Sequence, residues 1–297
     1  MLTKEIIKSA LYDETPYRMS LNIARDMGFG LEVEIGVPME ETIFDRIATL
    51  PDDLEIGTEK SIKDSIGIEI RTPVLYNNMK SWKMLKKVSD KLMEGNEYNF
   101  SECSLQVNID NDLSDDDMLI FLKLYAVYEK IIYGFSRGYD KYLRDTISEY
   151  ADSLIPLMYD NIRYYGESVY TLKNLFYHRK STAISLKKKG YLDWNVDIIE
   201  FRTPNGTNDA WLWQNYVNVF ANLLRVAKNK AIDQVILDYD FYNALVPDVF
   251  VRSYEETFLK TAIEFMNLVF DNDEDKVYFM KQYLYNTPKD KVLKFIK

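Results

Sequence analysis

Eight side chains in four short segments combine acid, amide and guanidinium groups two residues apart: Glu32 and Glu34, Glu69 and Arg71, Gln106 and Asn108, Glu200 and Arg202. On a β-strand that spacing puts both members of a pair on one side, roughly 7 Å apart along the backbone. At such a distance two carboxylates reach one metal ion or two neighbouring ions, and like charges packed this way repel unless cations offset them. Oxygen donors suit magnesium, which usually arrives with nucleotide phosphates. Guanidinium groups beside them can hold a phosphoryl group while its charge redistributes. For any one strand, a polar side is ordinarily a solvated side. Taken together, however, these eight positions include no lysine and none of the Thr and Ser of a typical wet face.

The surrounding residues supply the strands. In 29–35, Phe29, Leu31, Val33 and Ile35 oppose Gly30, Glu32 and Glu34. In 68–74, Ile68 and Ile70 oppose Glu69 and Arg71. Cys103, Leu105, Val107 and Ile109 oppose Ser104, Gln106, Asn108 and Asp110 over 103–110, and Ile199 and Phe201 oppose Glu200 and Arg202 over 198–203. Shorter strands are expected at 53–57 and 183–187. Helical periodicity covers 3–12, 79–94, 114–135, 139–150, 167–178, 208–229, 238–246, 254–270, 274–284 and 288–296. Ser114 followed by Asp115, Asp116 and Asp117 reads as a capped helix start. The expected class is α+β: an antiparallel sheet with a polar active-site face, an apolar face packed by helices, and a helical C-terminal third. No linker or repeat divides the 297 residues, so they are expected to form one domain.

Composition narrows the chemistry. The only histidine is His178, which excludes a zinc site built on two or three imidazoles, and no G-x-S-x-G accompanies it. Cys103 is the only cysteine, so no intrachain disulfide forms. Thirty-seven Lys and Arg against 47 Asp and Glu give a net charge of -10, which disfavours nucleic acid and anionic membrane as partners. The longest apolar stretches are interrupted by Lys123, Glu129 and Lys130 or by Gln214, Asn215 and Asn218, short of the about 20 residues that span a bilayer. With no signal-like start, a cytoplasmic location is expected.

The segment Phe29-Gly30-Leu31-Glu32-Val33-Glu34 resembles the opening motif of the putative amidoligase family, part of the carboxylate–amine ligase superfamily of glutamine synthetase and glutamate–cysteine ligase. Further segments match in the family's order. Thr58-Glu59-Lys60-Ser61-Ile62 resembles its acidic-Gly-Ser element, and Gly67 through Leu75 its G-x-E strand ending in Thr72-Pro73. Ala183-Ile184-Ser185-Leu186 stands where the family has a short A-L-N-L strand, with Arg179 and Lys180 just before it. Ile199-Glu200-Phe201-Arg202, then Gly206-Thr207 and a Trp-rich helix, resembles its closing block. The likeness covers about residues 28–230, with 231–297 as a helical extension. Two departures stand out. The family's C-G-L-H-V-H-V-D is here Cys103-Ser104-Leu105-Gln106-Val107-Asn108-Ile109-Asp110, with both histidines replaced by amides, and Lys60 replaces a usual glycine.

The resemblance implies ATP and Mg2+ as cofactors and a reaction in which a carboxylate is phosphorylated to an acyl phosphate that an amine then displaces. It makes Glu32, Glu34, Glu69 and Glu200 the metal ligands and Arg202 the residue that holds the γ-phosphate. Arg71 and Arg179 would take phosphate or substrate carboxylate, while Gln106, Asn108, Ser61 and Lys60 would line the nucleotide pocket. The substrates implied are a carboxylate and an amine from an amino acid, peptide or protein, and an oligomer is compatible with this. Loss of both histidines keeps a second reading open: a catalytically inactive scaffold acting as an interaction or structural protein, associated with a phage or mobile element. A two-metal phosphodiesterase is a third, more distant reading, since it needs carboxylates but not these arginine pairings.

Other residues have plainer readings. His178 reads as a surface or helix-end histidine, Lys187-Lys188-Lys189-Gly190 as a solvated turn, and Cys103 as core packing. Tyr159, Tyr164 and Tyr165 around Arg163 read as ordinary packing before a protein contact.

Overall fold

A computed structural model describes residues 1–37, 49–63, 65–94, 98–187, 197–229, 232–245 and 258–296. Its strands are β1 (Gly28–Val37), β2 (Glu55–Thr58), β3 (Ile66–Arg71), β4 (Leu75–Tyr76), β5 (Leu105–Asp110), β6 (Ile184–Lys187) and β7 (Ile198–Phe201). All pairings between them are antiparallel, in the order β2-β3-β1-β5-β7-β6, with β4 beside the start of β1. The α+β expectation therefore holds.

Alternation in the sequence becomes two distinct faces. Phe29, Leu31, Val33, Leu105, Val107, Ile109, Ile199 and Phe201 are all buried on one side. Helices α2 (Met79–Met93), α3 (Asp115–Ser136) and α7 (Ala210–Lys228) cover them. Trp82 stacks on Phe29 at 5.0 Å, Phe220 on Phe201 at 4.1 Å, and Phe121 meets Phe201 edge-on at 6.0 Å. Burying such rings contributes about 2–3 kcal/mol each. As expected, Ser114 caps α3 by accepting from the Asp117 backbone N–H.

The remaining helices are α1 (Thr3–Tyr12), α4 (Ile147–Tyr150), α5 (Ile155–Tyr165), α6 (Val169–Phe176), α8 (Gln234–Ala244), α9 (Leu259–Val269), α10 (Asp273–Tyr283) and α11 (Lys289–Phe295). The helical C-terminal third is thus present. It packs behind α3 and α7, where Phe279 of α10 stacks on Phe135 at 5.2 Å. Among the described residues no helix is long and apolar enough to cross a membrane.

Two segments differ from their periodicity. The helix expected over 139–150 forms only at its end, Ile147–Tyr150. Gly138, at φ 60, closes α3, and the Asn205 side chain then ties down the irregular stretch. Its amide donates to Asp140 Oδ2 and the Tyr142 carbonyl and accepts from the Arg144 N–H. Conversely, α5 lies outside the expected elements. Its Pro156 sits in the first turn, where a missing N–H costs nothing, and buried Glu129 accepts from the Leu154 N–H at the same end. Smaller shifts follow caps: α8 begins at 234 rather than 238 because Asp233 accepts from the N–H groups of Val235 and Ile236. Residues 254–257 of the expected helix 254–270, and 188–190 of the lysine turn, lie outside the described residues.

Candidate active site

Strand register assembles the polar face. Glu32 lies opposite Arg71 on one neighbour and Gln106 on the other, Glu34 opposite Glu69, and Asn108 opposite Glu200. The four segments thus meet on one side of the sheet, in a cleft of about 510 Å³. Glu32, Glu34, Glu69, Glu200, Arg71, Arg202, Gln106, Ser61 and Lys60 all line it. Two of the expected site residues do not. Asn108 stays out of the lining, its amide donating to Glu32 Oε1 at 2.9 Å. Arg179 faces away, its Nε 3.4 Å from Ser181 Oγ, and the neighbouring Lys180 lines the cleft instead. His178 is exposed at φ 49 and outside the cleft, as its plainer reading has it.

The two amides bridge opposite charges. Gln106 donates to Glu34 Oε1 at 3.0 Å and accepts from Arg202 at 2.8 Å. Asn108 accepts from Lys187 Nζ at 3.5 Å while donating to Glu32. Lys187 is therefore no solvated turn residue: it ends β6, and its ammonium lies 2.8 Å from Glu200 Oε1. Arg202 Nη1 reaches the same oxygen at 3.1 Å, while Glu200 Oε2 is buried with no hydrogen-bond partner among the described residues.

On the other flank the carboxylates crowd. Glu34, Glu59 and Glu69 each offer an oxygen, and the three oxygens lie within 4.8 Å of one another. Glu59 is held by the Ser61 N–H, which donates to its Oε1 at 2.7 Å. It reaches the cleft because Gly67 lies against its backbone; a Cβ on Gly67 would overlap the Glu59 carbonyl oxygen. Burial, then the neighbouring Glu32, push Glu69 up to about 7, although Arg71 ion-pairs with it. Burial pushes Glu34 up as well, against the hydrogen bonds from Ser104. For Glu32 burial also acts upward, but Lys187, the hydrogen bonds from Asn108 and Glu69, and Arg71 together hold it below its ordinary value. A buried carboxyl of pKa about 7 among other carboxylates is the signature of a place short of positive charge. Three oxygen donors at that spacing fit a magnesium-like ion.

Arg144 is a further cleft residue, one that sequence reasoning missed. It is fully buried and donates to the carbonyls of Arg202, Thr203 and Pro204 at 2.7, 3.0 and 2.8 Å. Burial lowers it to about 10, the nearby Glu34 acting in the opposite direction. It pins the strand end that carries Arg202. Glu59, Lys180 and Lys187 were legible as residue types but not as site members.

A second cavity, of about 450 Å³, lies where α7 passes the ends of β5 and β7. Apolar Ile23, Met27 and Leu224 share it with Asp110 and Arg225, and none of the expected site residues reaches it.

Comparison with known proteins gives three findings. A family model described as putative amidoligase enzyme matches residues 44–224. No curated protein sequence matches the chain. The crystal structure of a glutamate–cysteine ligase from Francisella tularensis, in complex with AMP, superposes with a TM-score of 0.51 at 10% identity, covering 93% of this chain and 86% of the other. At that identity the likeness concerns the fold.

Proposed function

The chain belongs to the amidoligase family, and from that premise we propose that it is an ATP- and magnesium-dependent ligase joining a carboxylate to an amine. The observation that carries the reading is the division of labour on the polar face. Three crowded glutamates able to hold a cation adjoin a buried arginine preset by Gln106, Glu200 and Arg144.

In the reaction, the substrate carboxylate oxygen takes the γ-phosphoryl group and ADP leaves. The amine nitrogen then bonds to the acyl carbon as phosphate departs, and the nitrogen gives up a proton. A divalent ion, when bound, would neutralise charge on the phosphate oxygens. Glu34, Glu59 and Glu69 would hold it, with Glu32 and Glu200 completing the acidic floor. Arg202 would hold the phosphoryl group in transfer, since its guanidinium is aimed before substrate arrives. Arg71, half-exposed at the mouth, would take the substrate carboxylate, and Lys60, Ser61 and Lys180 would contact phosphate from the rim. Gln106 would orient both Arg202 and Glu34, a role an amide performs without titrating. The acid and the amine would come from an amino acid, peptide or protein.

The test is ATP consumption dependent on added acid and amine, run beside calorimetric binding of Mg-ATP. Binding accompanied by acid- and amine-dependent ADP release supports the ligase. Absence of both binding and any melting shift with millimolar Mg-ATP would instead favour the inactive-scaffold reading.

A further inference from the structure

The acidic residues of the cleft separate into two groups with different local charge. Glu34, Glu59 and Glu69 form one group, of which Arg71 ion-pairs with Glu69 alone, its Nε also lying 3.7 Å from Glu32 Oε2 across the boundary. Glu32 and Glu200 belong to the other, and between them lies the Lys187 ammonium. Its Nζ is 2.8 Å from Glu200 Oε1, 3.4 Å from Glu32 Oε1 and 3.5 Å from Asn108 Oδ1. Those three oxygens come from three different strands, β7, β1 and β5, and an ammonium has three protons to offer them. A hard divalent ion seeks the same kind of surroundings: two carboxylates and an amide oxygen converging from separate elements. We propose that Lys187 is a resident cation that takes the place of a divalent ion between Glu32 and Glu200, so that this cleft binds metal only at Glu34, Glu59 and Glu69.

Three further observations agree with this. Lys187 ends the edge strand β6, so its long side chain comes in from the side of the sheet onto Glu32 and Glu200. The amide of Asn108 donates to Glu32 and accepts from Lys187, which fixes lysine and carboxylate in one arrangement. Glu200 is already served by two cations at one oxygen, Lys187 and Arg202, whereas among the described residues Glu34 and Glu59 make no salt bridge. The inference deepens the ligase reading by giving its metal stoichiometry, but the ion count below is measured without turnover.

The experiment counts Mn2+ ions per chain by titration calorimetry and by the electron spin resonance signal of free Mn2+, without nucleotide. Lys187→Met, which keeps length and removes charge, should bind one ion more than the wild type. Its metal-free melting temperature should fall by roughly 5 °C, because buried Glu200 and partly buried Glu32 lose their shared partner, and millimolar Mn2+ should restore it. Lys187→Arg should keep the wild-type count. Should Lys187→Met not fold, Lys187→Gln replaces it. Equal counts in folded wild-type and Lys187→Met protein would overturn the proposal, as would a wild-type chain that itself binds two ions in the cleft. A wild type with no ion, with or without nucleotide, beside a charge-removed variant with one would uphold the role of Lys187 while removing the ligase reading.

Discussion

On the flank of the cleft formed by β7 and β6, Glu200 has cations at 2.8 and 3.1 Å, and Arg202 is fixed further by Gln106 and by the Tyr150 carbonyl at 3.0 Å. On the flank formed by β3 and the end of β2, Glu59 and Glu69 face Glu34; Arg71 ion-pairs with Glu69 from the mouth, and Arg144 acts on Glu34 while its donors are spent on backbone carbonyls. The residue types are alike and the state of charge is not. Acidic density alone therefore does not mark a metal site. What marks it is acidic density that the protein leaves uncompensated, read here in the raised pKa of Glu69. The compensated flank is already tied together by hydrogen bonds, which suits the role proposed for Arg202.

The largest effect should come from breaking the compensated flank. Arg202→Lys should lower turnover on the order of 10² or more while keeping most Mg-ATP affinity, because an ammonium cannot reproduce a bidentate guanidinium on a transferring phosphoryl group. Steady-state kinetics beside calorimetry checks it; unchanged turnover would refute the role assigned to Arg202.

On the uncompensated flank the effect should be on ion binding. Glu59→Gln should weaken Mn2+ binding about 10- to 100-fold, a loss that even outer partners of a metal can produce. Gly67→Ala should do the same indirectly and also destabilise the fold by about 1–3 kcal/mol, since the added methyl displaces the Glu59 backbone. If either variant left ion affinity intact, the two flanks would not differ as described.

A pH series sharpens the contrast further. Glu69 in the folded chain sits at about 7, above its unfolded value, so between those two values the native state holds a proton that the unfolded state has lost. Through this group the metal-free protein loses stability as pH rises from about 4.5 to 7. Glu32, held low, acts in the opposite sense, and its contribution disappears only as pH falls below the ordinary carboxylate range. Ion affinity should rise with pH through about 7, with proton release on binding that calorimetry in buffers of different ionisation heat can count. A flat profile would mean that Glu69 is already ionised without metal.

The smallest effect is expected at Arg179. It points to Ser181 rather than the cleft, so Arg179→Ala should leave turnover within about twofold, the scale of a surface change away from such features. A large loss would return it to the site that its place in the sequence suggests.

Much of this arrangement can be seen in the chain's spacing. A period of two with apolar partners on the opposite side forces Glu32, Glu34, Glu69, Gln106, Glu200 and Arg202 onto a common face once the strands pair. What escapes is whatever depends on irregular backbone or on strand ends. Arg144 comes from a stretch whose helical period the fold does not keep, held by Asn205 some sixty residues away in sequence. The choice between Arg179 and Lys180 follows a chain reversal in which His178 adopts φ 49 and donates its N–H to the Leu186 carbonyl, a conformation its residue type does not announce. Lys187 begins a run of lysines that would look the same if all of them were solvated, and only its position at the end of β6 brings it over Glu200.

Cys103 gives the protein an internal clock. The thiol is wholly buried, its Sγ lies 3.1 Å from the Asn99 carbonyl, and burial with Glu34 nearby pushes it up to about 12. It is packed against Gly206, where an added Cβ would come within 2.6 Å of its own, at the joint between the entry to β5 and the segment leading to α7. A thiol reagent therefore finds nothing to modify in the closed molecule. Labelling of the unmodified chain reads out how often that joint opens, and any cysteine engineered at the surface can be labelled without a competing site.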